Sequence, residues 1–297
     1  VNKKFYNISD VALLNSNSKT REEFLELYNN KYFDDESKWN DYIHLPVVEG
    51  ITDIIDSRLK NRMSLMSIGV YYVMEKGPGL PNSKKEEICL FTGFGEIETT
   101  NKIIKSILVD QYAHVSPTLF HNSVHHTALG YYSIIKSIHN PCVTISDGLS
   151  TGLSFIKYIE KKIGLNEEFT IVAGEEYSDF FKLDKTVDLN IVSSFIAFRV
   201  KPDENKGFCY HGCVDTFDDL LKNDLYIKSK NIIANKDLFI KLKLKSDKRI
   251  LTEYPINKDN PCGIIFRLAF PYYFNIKGSV LVLDMIEEKI HLFEVLT

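Results

Sequence analysis

No two cysteines of this chain form a C-x-x-C pair; Cys89, Cys142, Cys209, Cys213 and Cys262 stand far apart or singly. An odd, scattered set excludes a zinc ribbon, a dithiol redox motif and a small secreted disulfide framework, and reads as reduced thiols. A membrane-crossing helix needs roughly 20 apolar residues. The longest apolar stretches, 191–200 and 279–286, are strand-length and interrupted by polar residues. The first seven residues hold no apolar core of a secretory signal, so the expected location is the cytoplasm. Neither sign of charge dominates: 36 Lys and Arg face 40 Asp and Glu, net −4, which gives no electrostatic ground for nucleic acid or an anionic membrane as partner. Short repeats and low-complexity linkers are missing. The glycine pairs 77/79 and 93/95 lack a following Lys-Ser/Thr, so neither is a phosphate loop.

What is present is a 297-residue chain, 44% hydrophobic, enough for a large core in one broad domain or two fused halves. Residues 20–45 read as a short helix and a surface loop. Over 54–75, Leu59, Met63, Met66, Val70 and Val73 mark one helical face, ended by the Gly77–Asn82 break. A strand at 88–92 precedes a helix over 96–108 with Ile97, Ile104 and Leu108 on one side. Val124, Ala128, Tyr131, Ile135 and Ile138 mark a second helical face. A strand at 142–146 leads to a third helix, carrying Leu149, Leu153, Ile156, Ile159 and Ile163 and stopping at Gly164. Strands follow at 169–173 and 191–200; 226–242 mixes signals; 279–285 and 289–296 read as closing strands. This alternation predicts a layered α/β fold, cut near residue 200 into 1–200 and 201–297.

One block is family-specific. Ser116-Pro117-Thr118-Leu119-Phe120-His121-Asn122-Ser123-Val124-His125-His126-Thr127-Ala128, continuing to Gly130 and Ser133-Ile134, resembles the S-P-T-x-F-x-x-S-V-H-N-A-x-x-G-x-x-S-I block of the β-ketoacyl synthase N-terminal domain. The similarity is to a divergent, chain-length-factor-like branch of aryl-polyene-type pathways. Thr92-Gly93-Phe94-Gly95-Glu96 is similar to that branch's turn after its second strand, and Val143 to Leu153 sits where condensing enzymes carry a strand, an elbow and a helix. The resemblance implies a thiolase-like α-β-α-β-α fold of two similar halves, here with a shortened second half, and a dimer. It implies as partners an acyl carrier protein and an active ketoacyl synthase subunit, or a second copy. No cofactor and no metal are implied.

The same resemblance bears on chemistry. A condensing enzyme holds its acyl chain as a thioester on a cysteine at the helix N-terminus after the elbow, where the helix favours the thiolate. With Gly152-Leu153 as anchor, Leu149 falls on that position. A slip of one residue offers Gly148 or Ser150, of two Asp147 or Thr151, and none a cysteine; Cys142 lies seven residues earlier, inside the preceding strand. Ser150 as nucleophile needs a base that the sequence does not name. His211-Gly212 resembles the start of the family's H-G-T-x-T loop, but no Gly-His dipeptide exists to supply a second histidine. The expectation is a β-ketoacyl-synthase-like chain without the catalytic cysteine, a chain-length-factor-like subunit for fatty-acid or polyketide elongation. An acyltransferase or hydrolase using a non-cysteine nucleophile and a stand-alone acyl-binding protein are the alternatives. His125, Asp147, Leu149 and Thr151 are the expected acyl-site lining, with Ser150 and His211 as candidate catalytic groups.

Three further readings follow from residue pattern. Lys241, Lys243 and Lys245 lie in a basic run that could dock an acidic carrier protein; a solvated face is the plainer account. His121 and His125 are four apart, as metal ligands on a helix can be, but nothing nearby completes a set. The helix over 124–138, widened by Leu129 and Tyr132, and the strand 142–146 are expected at a subunit interface.

Overall fold

The computed structural model describes residues 5–15, 23, 55–109, 116–178, 193–244, 248–252 and 260–297. The first half begins with β1 (Phe5–Asn15) and the short helix α1 (Ser57–Lys60). It continues through α2 (Leu65–Lys76), β2 (Glu87–Thr92), α3 (Ile97–Val109), α4 (Pro117–Asn122), α5 (Thr127–Lys136), β3 (Cys142–Ser146), α6 (Thr151–Leu165), β4 (Phe169–Glu175) and β5 (Ser194–Asp203). The second comprises β6 (Gly207–Val214), α7 (Phe217–Lys222), α8 (Asp224–Lys228), β7 (Asn231–Ala234), α9 (Lys236–Lys243), β8 (Arg249–Thr252), α10 (Gly263–Tyr273), β9 (Ser279–Ile286) and β10 (Lys289–Leu296).

Strand order runs β3-β2-β4-β5-β1, then β6-β10-β9-β7-β8. Each half therefore orders its own five strands 3-2-4-5-1, with the second parallel to the third and fourth and the remaining pairs antiparallel. The two sheets are linked through one residue pair, Tyr6 and Phe208. The second half completes its sheet in far fewer residues, as the resemblance implied.

Side chains along β2 alternate in destination. Cys89 and Phe91 enter one core, where residues from both sheets pack around α6 (Phe155, Ile156, Ile159) and α10 (Ile264, Ile265, Phe266). Ile88 and Leu90 enter another, beneath α2 and α5. A third core joins Leu220, Tyr226, Leu238 and Leu242 of α7, α8 and α9 to the second sheet. Strand period 2 thus sorts residues into three helix–sheet contacts, giving the five-layer α-β-α-β-α arrangement. β2 and β4, covered on both faces, read as unbroken apolar runs for that reason. No helix among the described residues is long and apolar enough to cross a membrane.

Four expectations change. The helix over 54–75 is two helices, with α2 starting anew at Ser64, whose Oγ accepts from the Ser67 N–H at 3.0 Å. The face drawn through 124–138 is likewise broken: α4 ends at Asn122, Val124 lies in the turn, and α5 begins at Thr127. Leu129 and Tyr132 do not widen an interface; both are buried in the core beneath α2, and the Tyr132 hydroxyl donates to Gly79 O at 3.0 Å. On α3, Ile104 and Leu108 are exposed (45% and 75%) while Thr99 and Asn101 are buried. Residues 20–45, apart from residue 23, lie outside the described residues.

At the end of the first sheet remote from the β2–α3 turn, Arg199 of β5 ties four segments. Its Nε donates to Glu86 at 3.1 Å, Nη1 to Asp10 at 3.1 Å, and Nη2 to the carbonyls of Pro78 and Leu80 at 2.8 Å each. Glu86 is buried and also accepts from Asn82 N–H and Thr170 Oγ1, both at 2.6 Å. Arg199→Leu strands that carboxylate and is expected to lower unfolding free energy by about 3–5 kcal/mol, measurable as a fall in the urea midpoint with unchanged slope.

Candidate functional site

The parallel strands β2, β3 and β4 end together, and the N-termini of α6 and α10 reach the same place. The carboxylate of Glu175, the last residue of β4, organises it. This side chain is fully buried and accepts from the backbone N–H groups of Gly93 and Phe94, the latter at 3.2 Å, and from Thr92 Oγ1 at 3.3 Å. The thiol of Cys262, at the start of α10, lies 3.5 Å from the same carboxylate and donates to Phe91 O at 3.3 Å. Desolvation pushes Glu175 up to about 7 against the pull of these donors, and pushes the Cys262 thiol well up.

Two more carboxylates hold the turn after β2. Glu96 is buried and accepts from Ser64 Oγ at 2.8 Å, Ser67 Oγ at 3.4 Å and Thr99 Oγ1 at 3.5 Å. Glu176 accepts from the Glu98 N–H at 3.1 Å. Burial raises Glu96 to about 7; burial and then the neighbouring Glu96 charge raise Glu176 to about 8. Gly95 sits in the left-handed region at φ +57°, and a Cβ there would overlap the His125 ring; a side chain at 95 would be both strained and blocked.

The turn supports the elbow. Gly93 O accepts from Ser146 Oγ at 3.0 Å and from the Gly148 N–H at 3.2 Å. Thr151, buried at the start of α6, donates through Oγ1 to Gly148 O at 2.8 Å and accepts from the Asp147 N–H at 3.1 Å. The Asp147 side chain accepts from Ser154 Oγ at 2.7 Å. Asp147 and Thr151 thus build the elbow itself. Leu149 lies in the single 3-10 turn before α6, 57% exposed, at the rim of a cavity of about 270 Å³.

That cavity is mostly polar. Beside Leu149 stand Ser150, Asn235, Asn260 and a buried ion pair, Arg267 of α10 with Asp284 of β9. Asn235 Nδ2 donates to Asp284 Oδ1 at 3.2 Å, and Asn260 Nδ2 to Ser194 Oγ at 2.8 Å. Ser150 Oγ donates to Glu287 Oε1 at 2.9 Å, a partner that sequence reasoning missed. The second-half residues escaped notice because β7, β9 and α10 are brought here by topology alone. A readable signal existed: one Arg inside the apolar run 264–270 and one Asp inside 280–285, since charges in such runs are rarely buried unpaired.

The remaining candidates are elsewhere. His125, expected as acyl-site lining, is exposed in the turn between α4 and α5, against Gly95, and is not among the residues lining the cavity. His121 belongs to α4 and meets Tyr131 edge-on at 5.9 Å, so the two histidines do not share a helix. His211 lies within strand β6, not in a loop, with Nε2 3.2 Å from Glu294, and does not line the cavity. Lys241 and Lys243 are exposed on α9; Lys241 shares a shallow depression with Asp218. Lys245 lies outside the described residues. Lys248, from the same basic run, donates to the carbonyls of Tyr226, Ile227 and Ser229 at the end of α8.

Residues 55–155 match the family model described as Beta-ketoacyl synthase, N-terminal domain. No curated protein matches the sequence. Among solved structures, a ketosynthase in complex with its chain length factor from Xenorhabdus doucetiae is 13% identical, with 97% of this chain and 98% of that chain covered at a TM-score of 0.59. The ishigamide ketosynthase/chain length factor is 12% identical, covering 99% and 100%, with a TM-score of 0.67. A type II polyketide synthase acyl-carrier protein complex with its ketosynthase bound to the hexaketide is 11% identical, covering 99% and 100%, with a TM-score of 0.69. At these identities the likeness is one of fold, and the fold is that of thiolase-type ketosynthases.

The three raised carboxylates give a pH signature. A carboxyl raised above its unfolded value near 4.3 binds its proton more tightly in the native state. Stability is then full below the unfolded value and falls as pH rises to the folded one, for Glu96 about 7. The hydroxyl partners of Glu96 can turn to suit an amide, so Glu96→Gln should fold. Stability against pH from 5 to 7 should be flatter in the variant than in the wild type by up to about 1.4 kcal/mol per pH unit, read from urea midpoints. Parallel profiles would reject the assignment.

Proposed function

We propose that this chain, whose residues 55–155 match the β-ketoacyl synthase N-terminal domain model, is a non-catalytic, chain-length-factor-like partner of an active ketosynthase in fatty-acid or polyketide elongation. The observation that carries the reading is the α6 N-terminus, where a condensing enzyme needs a thiolate and this chain presents the exposed side chain of Leu149. Neither thiol of the neighbouring strand and helix replaces it. Cys262 is fully buried with its thiol pushed well up, and Cys142 lies in β3 with its thiol raised by burial.

A second reading, an acyltransferase or hydrolase acting through Ser150, has the Ser150–Glu287 hydrogen bond in its favour. A carboxylate is a far weaker base than an alkoxide, and a serine nucleophile ordinarily relies on an imidazole between the two. No histidine among the described residues lines this cavity, so the non-catalytic reading is preferred.

The partner face is the edge of the first sheet. Among the described residues β3 has a strand neighbour on one side only, and an open edge is a template for pairing. Exposed apolar residues stand on β3 and the helices of that half: Val143 on the strand, Ile134 on α5, Phe120 on α4, Ile104 and Leu108 on α3. An active ketosynthase subunit, or a second copy, would cover them. Carrier protein would be engaged by the pair or by Lys241 and Lys243 of α9.

Two experiments test this. Incubation of the purified chain with a radiolabelled acyl-carrier thioester should leave no covalent label, and Ser150→Ala should change nothing; label that survives denaturation and disappears in Ser150→Ala would establish the second reading. Val143→Lys should abolish association with a co-expressed ketosynthase, or self-association in light scattering, while Tm moves by no more than about 2 °C. Tyr131 cannot serve this purpose: it is buried, its hydroxyl donates to Asn122 Oδ1 at 3.1 Å, and Tyr131→Glu should unfold the chain. An unassociated wild type would leave the partner reading without support.

A further inference from the structure

A cavity intended for an acyl chain is lined by carbon; the one beside Leu149 is lined by charge. Arg267 and Asp284 are 3% and 4% exposed. They come from the central helix and from a strand whose other residues facing inward are apolar. Asp284 is held by Asn235 at 3.2 Å. The guanidinium folds back over the first turn of α10, where Gly263 leaves it room: a Cβ at 263 would lie 2.9 Å from Nη2 and 3.0 Å from Nη1. A cation there opposes the helix dipole, which makes the Asp284 carboxylate necessary. A buried pair of this kind is poor evidence for stability, because apolar residues of similar volume usually serve as well. Its consequence is for what the cavity accepts.

We infer that the Arg267–Asp284 pair bars alkyl chains from the cavity beside Leu149, so that this chain supplies a polar wall there. An alkyl chain entering there would desolvate the cavity side of both charges and return apolar contacts to Leu149, Pro261, Met285 and Ile286. The inference deepens the non-catalytic reading, on which the importance of the Leu149 position rests.

The test uses the full chain and the fluorescent fatty acid cis-parinaric acid, with binding at this cavity defined as the part lost on Leu149→Trp. The wild type should show none. The paired variant Arg267→Met/Asp284→Leu, which replaces charge by apolar volume, should bind at least about tenfold more tightly. Wild-type binding lost on Leu149→Trp overturns the inference, as does a paired variant that melts cooperatively and binds no better than wild type. Should the paired variant not fold, Leu149→Cys in the otherwise unchanged chain decides: N-dodecylmaleimide should modify it no faster than N-ethylmaleimide. A gain of about tenfold for the longer reagent would mean that an alkyl chain is accepted after all. Association with a ketosynthase is measured separately, so either idea can fail alone.

Discussion

The buried carboxylate of Glu175 is the interaction on which the candidate site depends. It lies where β4 ends, and the groups it binds belong to the other elements that meet there: Thr92, Gly93 and Phe94 of the β2 turn and Cys262 of α10. Remove it, and two backbone N–H groups lose their acceptor, at about 1–3 kcal/mol for each that stays buried. Its effect then passes outward. The turn it fixes presents Gly93 O to Ser146 and Gly148, and those contacts set the elbow from which α6 departs. The position of Leu149 is thus a consequence of a carboxylate far along the chain from it.

Two equal sheets make this convergence possible. Each half sends its central helix, α6 or α10, out of its third strand and back through the shared core. Both helix N-termini therefore arrive at the same end of the molecule. On a ketosynthase fold this is where a reactive thiolate would benefit from the helix field. Here the space is filled by an apolar side chain at the rim and a neutralised ion pair within.

The outward surface is organised differently from the interior. α3 buries Thr99, which donates to the Glu96 carboxylate, together with Asn101, and turns Ile104 and Leu108 away. That inversion has a physical origin: the helix must bring polar groups to a buried acidic turn, and its apolar stripe is left for another surface. Periodicity locates such a stripe without telling which side of the helix the core is on.

Much was legible in the residues. The apolar runs of β2 and β4 announced strands covered on both faces, Gly164 marked the end of the third helix to within a residue or two, and the Ser-Val-His block pointed to the right family segment. Local pattern overreached where it treated continuous spacing as one helix: Ser64 and the turn at 123–126 interrupt the faces drawn through them. The duplication of the fold left no repeat in the sequence, because burial constrains only the alternation of strand residues and not their identity. By itself the sequence determined the strands β2, β3 and β4, the helix α6, the closing pair β9 and β10, and that the elbow holds no cysteine, all of which are local facts. Only the tertiary structure decided that Arg267, Asp284, Asn235 and Glu287 stand beside Leu149, that His125 lies outside that cavity, and that β3 is left at an edge. Those relations join residues separated by up to half the chain, and the sheet order that brings them together is set by packing, to which spacing along the sequence is blind.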